Sequence, residues 1–116
     1  MAELQITSAE RNGVPVISLV GELDNYSSPR VRTLLEDLLV PECPTVILEL
    51  SKLEYIDSAG LGVLVGGLKA ASSCSGTVAL VNPSPAIVHV LKVTGLDRIF
   101  QLFDDEDVAE RELKVL

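Results

Sequence analysis

Basic residues, cysteines and long apolar runs are all scarce in this sequence. Nine lysines and arginines stand against seventeen aspartates and glutamates, for a formal charge of −8. The nine are scattered from Arg11 to Lys114, so no cluster can neutralise phosphates and a direct nucleic-acid partner is excluded. An acidic surface instead suits partners that carry complementary basic patches. Cys43 and Cys74 are too few and too far apart for a zinc site or a disulfide framework; a bridge between them stays open, but free cytosolic thiols are the expectation. The start, Met1-Ala2-Glu3-Leu4, lacks the basic region and apolar run of a signal peptide. The most apolar stretch, residues 59–68, is stopped by Lys69 and is too short to span a bilayer, so no membrane contact and a cytoplasmic location are expected.

Catalytic and cofactor signatures are missing too. A serine nucleophile would need a base, and His89 is the single histidine, between Val88 and Val90 in a helical pattern, where a solvent-facing or edge role is expected. Pairs such as Glu22/Asp24 could act as acid and base, but surface solvation or loop capping is the plainer account. No Gly-Lys-Ser/Thr phosphate loop occurs, and Gly66 follows Gly60-x-Gly62 one residue too late for a dinucleotide fingerprint. With no metal-ligand cluster either, the expectation is no enzyme, no cofactor and no metal.

What is present is an ordinary apolar share, 47 %, in a chain of the length of one domain, 1–116. A chain this size buries roughly 65 % of its unfolded surface, enough for a core without cross-links. Residues 14–20, rich in β-branched side chains and ending at Gly21, read as a strand. A weaker strand over 4–9 precedes it across the turn Arg11-Asn12-Gly13. The short apolar runs 45–50 and 77–81 look like interior strands of a parallel arrangement.

Helices fill the gaps. Ser28-Pro29 gives an N-cap with proline at the first helical position, followed by Val31, Leu34, Leu35, Leu38 and Leu39 at one-face spacing. Ser84-Pro85 repeats that start, with Ile87, Val90 and Leu91 on one face and Gly95 as the stop. A last helix opens on the acidic run 104–107 and has a partial apolar face in Leu113 and Leu116. With a further short strand over 99–103, the expected class is α/β: one mixed sheet of four to five strands with about four helices packed on it.

The informative stretch is Leu53-Glu54-Tyr55-Ile56-Asp57-Ser58-Ala59-Gly60-Leu61-Gly62-Val63-Leu64. It follows a strand and a brief turn, and it runs into a helix whose stripe is Leu61, Leu64, Val65 and Leu68. Ser58 reads as the N-cap of that helix, and plain capping is the commoner use of such a serine. The same place is also a good one for a phosphate, because unpaired N–H groups and the positive helix end favour an anion. Gly60 and Gly62 lack a Cβ, which permits close approach of a partner or an anion, or closer packing of the helix start on the sheet. Tyr26, before the first helix, is either an interface anchor, together with Ser27 and Leu61, or a cover for the sheet edge.

Asp57-Ser58-Ala59-Gly60-Leu61-Gly62-Val63-Leu64 resembles the Asp-Ser-Ser-Gly-Leu-Gly signature of STAS domains, in particular of bacterial anti-sigma factor antagonists. Gly21-Glu22-Leu23-Asp24 is similar to that family's segment after its second strand, and Asn82-Pro83-Ser84-Pro85 with Thr94-Gly95-Leu96 to a third; together they span most of the chain. The resemblance implies a single STAS-type domain and a non-catalytic switch. In that reading the unphosphorylated chain binds an anti-sigma factor that is also a serine kinase, releasing the sigma factor. Phosphorylation of Ser58 turns it off, and a serine phosphatase restores it. Glu22, Asp24, Tyr26, Asp57, Ser58, Ala59, Gly60, Leu61 and Gly62 would form the docking face. Ala59 stands where the signature has its second serine. Two other roles remain: a constitutive interaction subunit without a phosphate cycle, and a small-ligand or nucleotide sensor.

Overall fold

Strand β1 (Gln5–Arg11) turns back on β2 (Val14–Leu23) through Asn12 and Gly13, whose φ angles of 50° and 83° suit a two-residue hairpin turn. The computed structural model describes residues 3–113. After the hairpin come α1 (Ser28–Leu38), β3 (Val46–Glu49), β4 (Leu53–Ile56), α2 (Ser58–Ser72), β5 (Val78–Val81) and α3 (Pro85–Thr94). A single 3-10 turn (Leu96–Arg98), β6 (Gln101–Phe103) and α4 (Glu106–Leu113) complete the order. Leu116, one half of the expected apolar face of the last helix, lies outside the described residues.

The sheet runs β1-β2-β3-β5-β6; the hairpin is antiparallel and every other pairing is parallel. Among the described residues, strand β4 pairs only with the far end of β2. It is a sixth strand among the described residues, over positions to which the sequence pattern assigns no element. The pattern also ends β2 at Gly21, whereas the strand continues to Leu23 through an irregularity there. Gly21 has φ +110°, and a Cβ on it would collide with the Glu3 carbonyl oxygen. Glycine is thus what lets the strand kink and change partner from β3 to β4.

β3 and β5 sit in the middle of the sheet and are buried on both faces. On one face Val46, Leu48, Val78 and Leu80 meet Val31 and Leu35 of α1, Val63 and Leu64 of α2, and Ile87 and Leu91 of α3. On the other, Val14, Val16, Ile47, Ala79 and Val81 are covered by Ala109 of α4, with Phe103 and Leu113 at the margin. Each fully buried Leu, Ile or Val side chain stabilises such a core by roughly 1.5–3 kcal/mol. Helix α4 is further tied to the hairpin by Arg11, which pairs with Glu106 at 3.5 Å, Glu110 at 2.8 Å and Asp107. Among the described residues no helix is long and apolar enough to cross a membrane.

Candidate functional site

The start of α2 is set by Asp57. Leaving β4 in an extended conformation (φ −106°, ψ −173°), its Oδ1 accepts the Gly60 N–H at 2.9 Å and its carbonyl accepts the Leu61 N–H at 2.9 Å. The cap is therefore Asp57, not Ser58 as the spacing suggests. Two cap-competent residues adjoin, and the one still in the β region takes the role. Ser58 becomes the first helical residue and is exposed. Among the described residues its hydroxyl makes no hydrogen bond, and neither its N–H nor that of Ala59 has a protein acceptor.

Gly60 is buried, and a Cβ there would come within 2.8 Å of the Leu23 carbonyl oxygen and of Ile56 Cγ1. Its service is the close seating of the helix start on β2 and β4. Gly62 is exposed, and a methyl group added to it would find nothing within 4 Å, so packing does not explain it. Ala59 and Leu61 are half-buried, Leu61 against the core. His89 is exposed on α3.

The segment between β2 and α1 is held to this helix start. Asp57 N–H donates to the Leu23 carbonyl at 3.2 Å, and Asp57 Oδ2 accepts the Asn25 N–H at 2.9 Å. Within the loop, Asp24 Oδ1 accepts the N–H groups of Tyr26 and Ser27, both at 3.0 Å, and the Ser27 hydroxyl also lies within 3.1 Å. The Ser27 N–H foremost, with the other donors, holds the Asp24 carboxyl below its ordinary range. Ser27, rather than Ser28, stands at the N-cap position of α1; it makes no capping bond, and its hydroxyl donates to the Glu22 carbonyl at 3.0 Å.

Glu22, Asp24, Asn25, Tyr26, Tyr55 and Asp57 together line an open groove of about 380 Å³. Tyr26 is 87 % and Tyr55 50 % exposed, so Tyr26 does not cover the sheet edge. Glu22 and Tyr55 are direct partners in the β2–β4 register. The fold thus brings Glu22, Asp24, Tyr26 and Asp57 into one place and sets Ser58 beside it. Sequence reasoning does not single out Asn25 or Tyr55. Tyr55 has a legible signal, an aromatic between Glu54 and Ile56 directly upstream of the motif; Asn25 acts through its main chain and has none. Among the described residues no group of His, Cys, Asp and Glu could hold a metal ion. Chemically the site offers an unengaged hydroxyl at a helix start and an acidic, aromatic groove.

Comparison with known proteins finds the STAS domain model matching residues 5–109. An anti-sigma F factor antagonist of Paenibacillus polymyxa is 33 % identical over 114 residues, covering 97 % of each chain. Among solved structures, an anti-sigma factor antagonist from Mycobacterium paratuberculosis superposes with TM-score 0.86 at 25 % identity, over 97 % of this chain and 96 % of its own. The Bacillus cell fate determinant SpoIIAA in its phosphorylated form gives 0.70 at 26 % identity, over 94 % and 98 %.

Proposed function

The chain belongs to the STAS domain family, and from that premise we propose that it is an anti-sigma factor antagonist switched off by phosphorylation of Ser58. In this reading it is a regulatory partner and not an enzyme. Unphosphorylated, it docks through the face around Ser58 and the Asp57 groove onto an anti-sigma factor with serine kinase activity. The sigma factor is released, and a serine phosphatase later returns Ser58 to the docking form. The kinase brings ATP and magnesium.

The observation that carries this reading is the division of labour between neighbours: Asp57 caps α2, leaving the Ser58 hydroxyl exposed and unbonded among the described residues. A serine engaged as the cap would have to give up that bond to be modified. Relatives named as anti-sigma factor antagonists, and a similar fold in a phosphorylated form, support it. Phosphorylation adds about −1.5 to −2 charges near neutral pH. The first turn of α2 tolerates the anion, through its dipole and the N–H groups of Ser58 and Ala59. The partner surface does not, since a contact shaped for a neutral hydroxyl would have to desolvate a bulky dianion. Docking is blocked at the contact, with little change in the backbone.

The test is intact-mass and peptide mass spectrometry after incubation with candidate anti-sigma kinases and ATP, with Ser58→Ala in parallel. Phosphate confined to Ser58 is the expected result. Stable binding to a partner with no phosphate at Ser58, and with Ser58→Asp binding equally well, would instead assign a constitutive interaction subunit.

A further inference from the structure

Resting on the docking reading above, we propose that the groove lined by Tyr26 and Tyr55 takes an arginine side chain of the protein partner. The guanidinium would stack on the tyrosine rings and pair with the carboxylates of Glu22 and Asp24.

Three observations lead there. Two of the chain's few aromatic side chains stand in solvent at one groove, and no Lys or Arg among the described residues lines it. The carboxylates are unequally engaged. Both oxygens of Asp57 accept a main-chain N–H, and Oδ1 of Asp24 accepts two. Asp24 Oδ2 and the Glu22 carboxylate have no hydrogen-bond partner among the described residues, and the β2–β4 register sets Glu22 beside the Tyr55 position. The acidic groove disfavours phosphate-bearing ligands, and its volume of about 380 Å³ suits one long side chain.

Arginine fits better than lysine for a geometric reason. A guanidinium is planar, stacks on an aromatic face and forks onto a carboxylate with two N–H donors, whereas an ammonium is a strongly hydrated point charge. Exposed tyrosines in one groove with unengaged carboxylate oxygens match the planar cation.

The test needs no partner protein. The isolated chain, labelled with nitrogen-15, is titrated at low ionic strength with N-acetyl-arginine-amide, and separately with the lysine and citrulline analogues. Saturable shifts at the amides of Asn25, Tyr26 and Tyr55 with the arginine probe are expected, weaker ones with lysine and none with citrulline. Tyr26→Ala and Glu22→Gln, changes at exposed and half-buried positions, should each weaken arginine binding about three-fold. Equal shifts with citrulline, equal binding of lysine, or no saturation at the groove would overturn the proposal. These outcomes are read on a chain that no kinase has touched. Failure here therefore leaves the Ser58 switch standing, and failure of Ser58 to be phosphorylated leaves the groove's preference intact.

Discussion

Asp57 Oδ2 accepts the main-chain N–H of Asn25 at 2.9 Å, across 32 positions of sequence, while Oδ1 of the same carboxylate caps Gly60. One side chain thereby fixes both the start of α2 and the loop that carries Tyr26. The residue beside the proposed phosphorylation site is a positioning residue first.

Asp57→Ala should therefore destabilise the fold by about 1–2 kcal/mol, the usual cost of a lost N-cap, and speed amide exchange at both Asn25 and Gly60. Asp57→Ser restores a cap oxygen but not the second acceptor. It should recover most of the stability in urea unfolding while Asn25 still exchanges fast. Equal exchange at Asn25 in all three proteins would show that the clamp does not hold the loop.

The two glycines of the motif should part company. Gly60→Ala places a methyl 2.8 Å from the Leu23 carbonyl oxygen and should cost about 1–3 kcal/mol through overpacking. Gly62→Ala meets open space inside a helix and should stabilise by about 0.5–1 kcal/mol. Chemical denaturation of both variants checks the opposite signs. Because Gly62 is exposed and packing does not require it, its variant also reports whether the proposed docking face tolerates an added methyl.

Acid should loosen α4 before the core. Arg11, with its hydrogen bond first and its charge second, holds the Asp107 carboxyl below its ordinary value of 3.8. A depressed carboxylate contributes stability that is fully present above the unfolded-state value and is lost as pH falls through the lower folded one. Amide exchange in residues 106–113 should rise below about pH 4, and Arg11→Gln should bring the same loosening at neutral pH. The Asp24 carboxyl, depressed by the Ser27 and Tyr26 N–H groups, should release its loop in the same acid window. Unchanged exchange in Arg11→Gln would place the anchoring of α4 in its apolar contacts and in the hydrogen bond that Asn12 donates to Glu110.

The class, the hairpin, most of the strand and helix order and the grouping of Glu22, Asp24 and Asp57 are legible in the sequence, because alternating elements and signature segments leave strong patterns. What escapes is decided by tertiary contacts. Strand β4 buries only Leu53 and Ile56 of its four residues, a spacing that does not alternate and so leaves no strand pattern. Gly21 looks like a strand end, yet the approach of the Glu3 carbonyl makes it a kink within a longer strand. Ser84 sits at the N-cap of α3 as expected but makes no capping bond; its hydroxyl donates to the Leu53 carbonyl at 2.7 Å and joins α3 to β4. For Ser84 the position is readable and the hydroxyl's partner is not, since local bonds compete with distant carbonyls; for α1 and α2 the pattern sets the cap one residue too far along, at Ser28 and Ser58 in place of Ser27 and Asp57.

The most direct test of the switch compares the affinity of the phosphorylated and unphosphorylated chain for the anti-sigma factor that modifies it, by calorimetry with the kinase held in its ADP-bound form. Tight binding that falls at least 100-fold on phosphorylation of Ser58, a difference of about 2.7 kcal/mol, is the predicted result. Equal affinity of the two forms would contradict the account, because the phosphate would then occupy a surface the partner does not use.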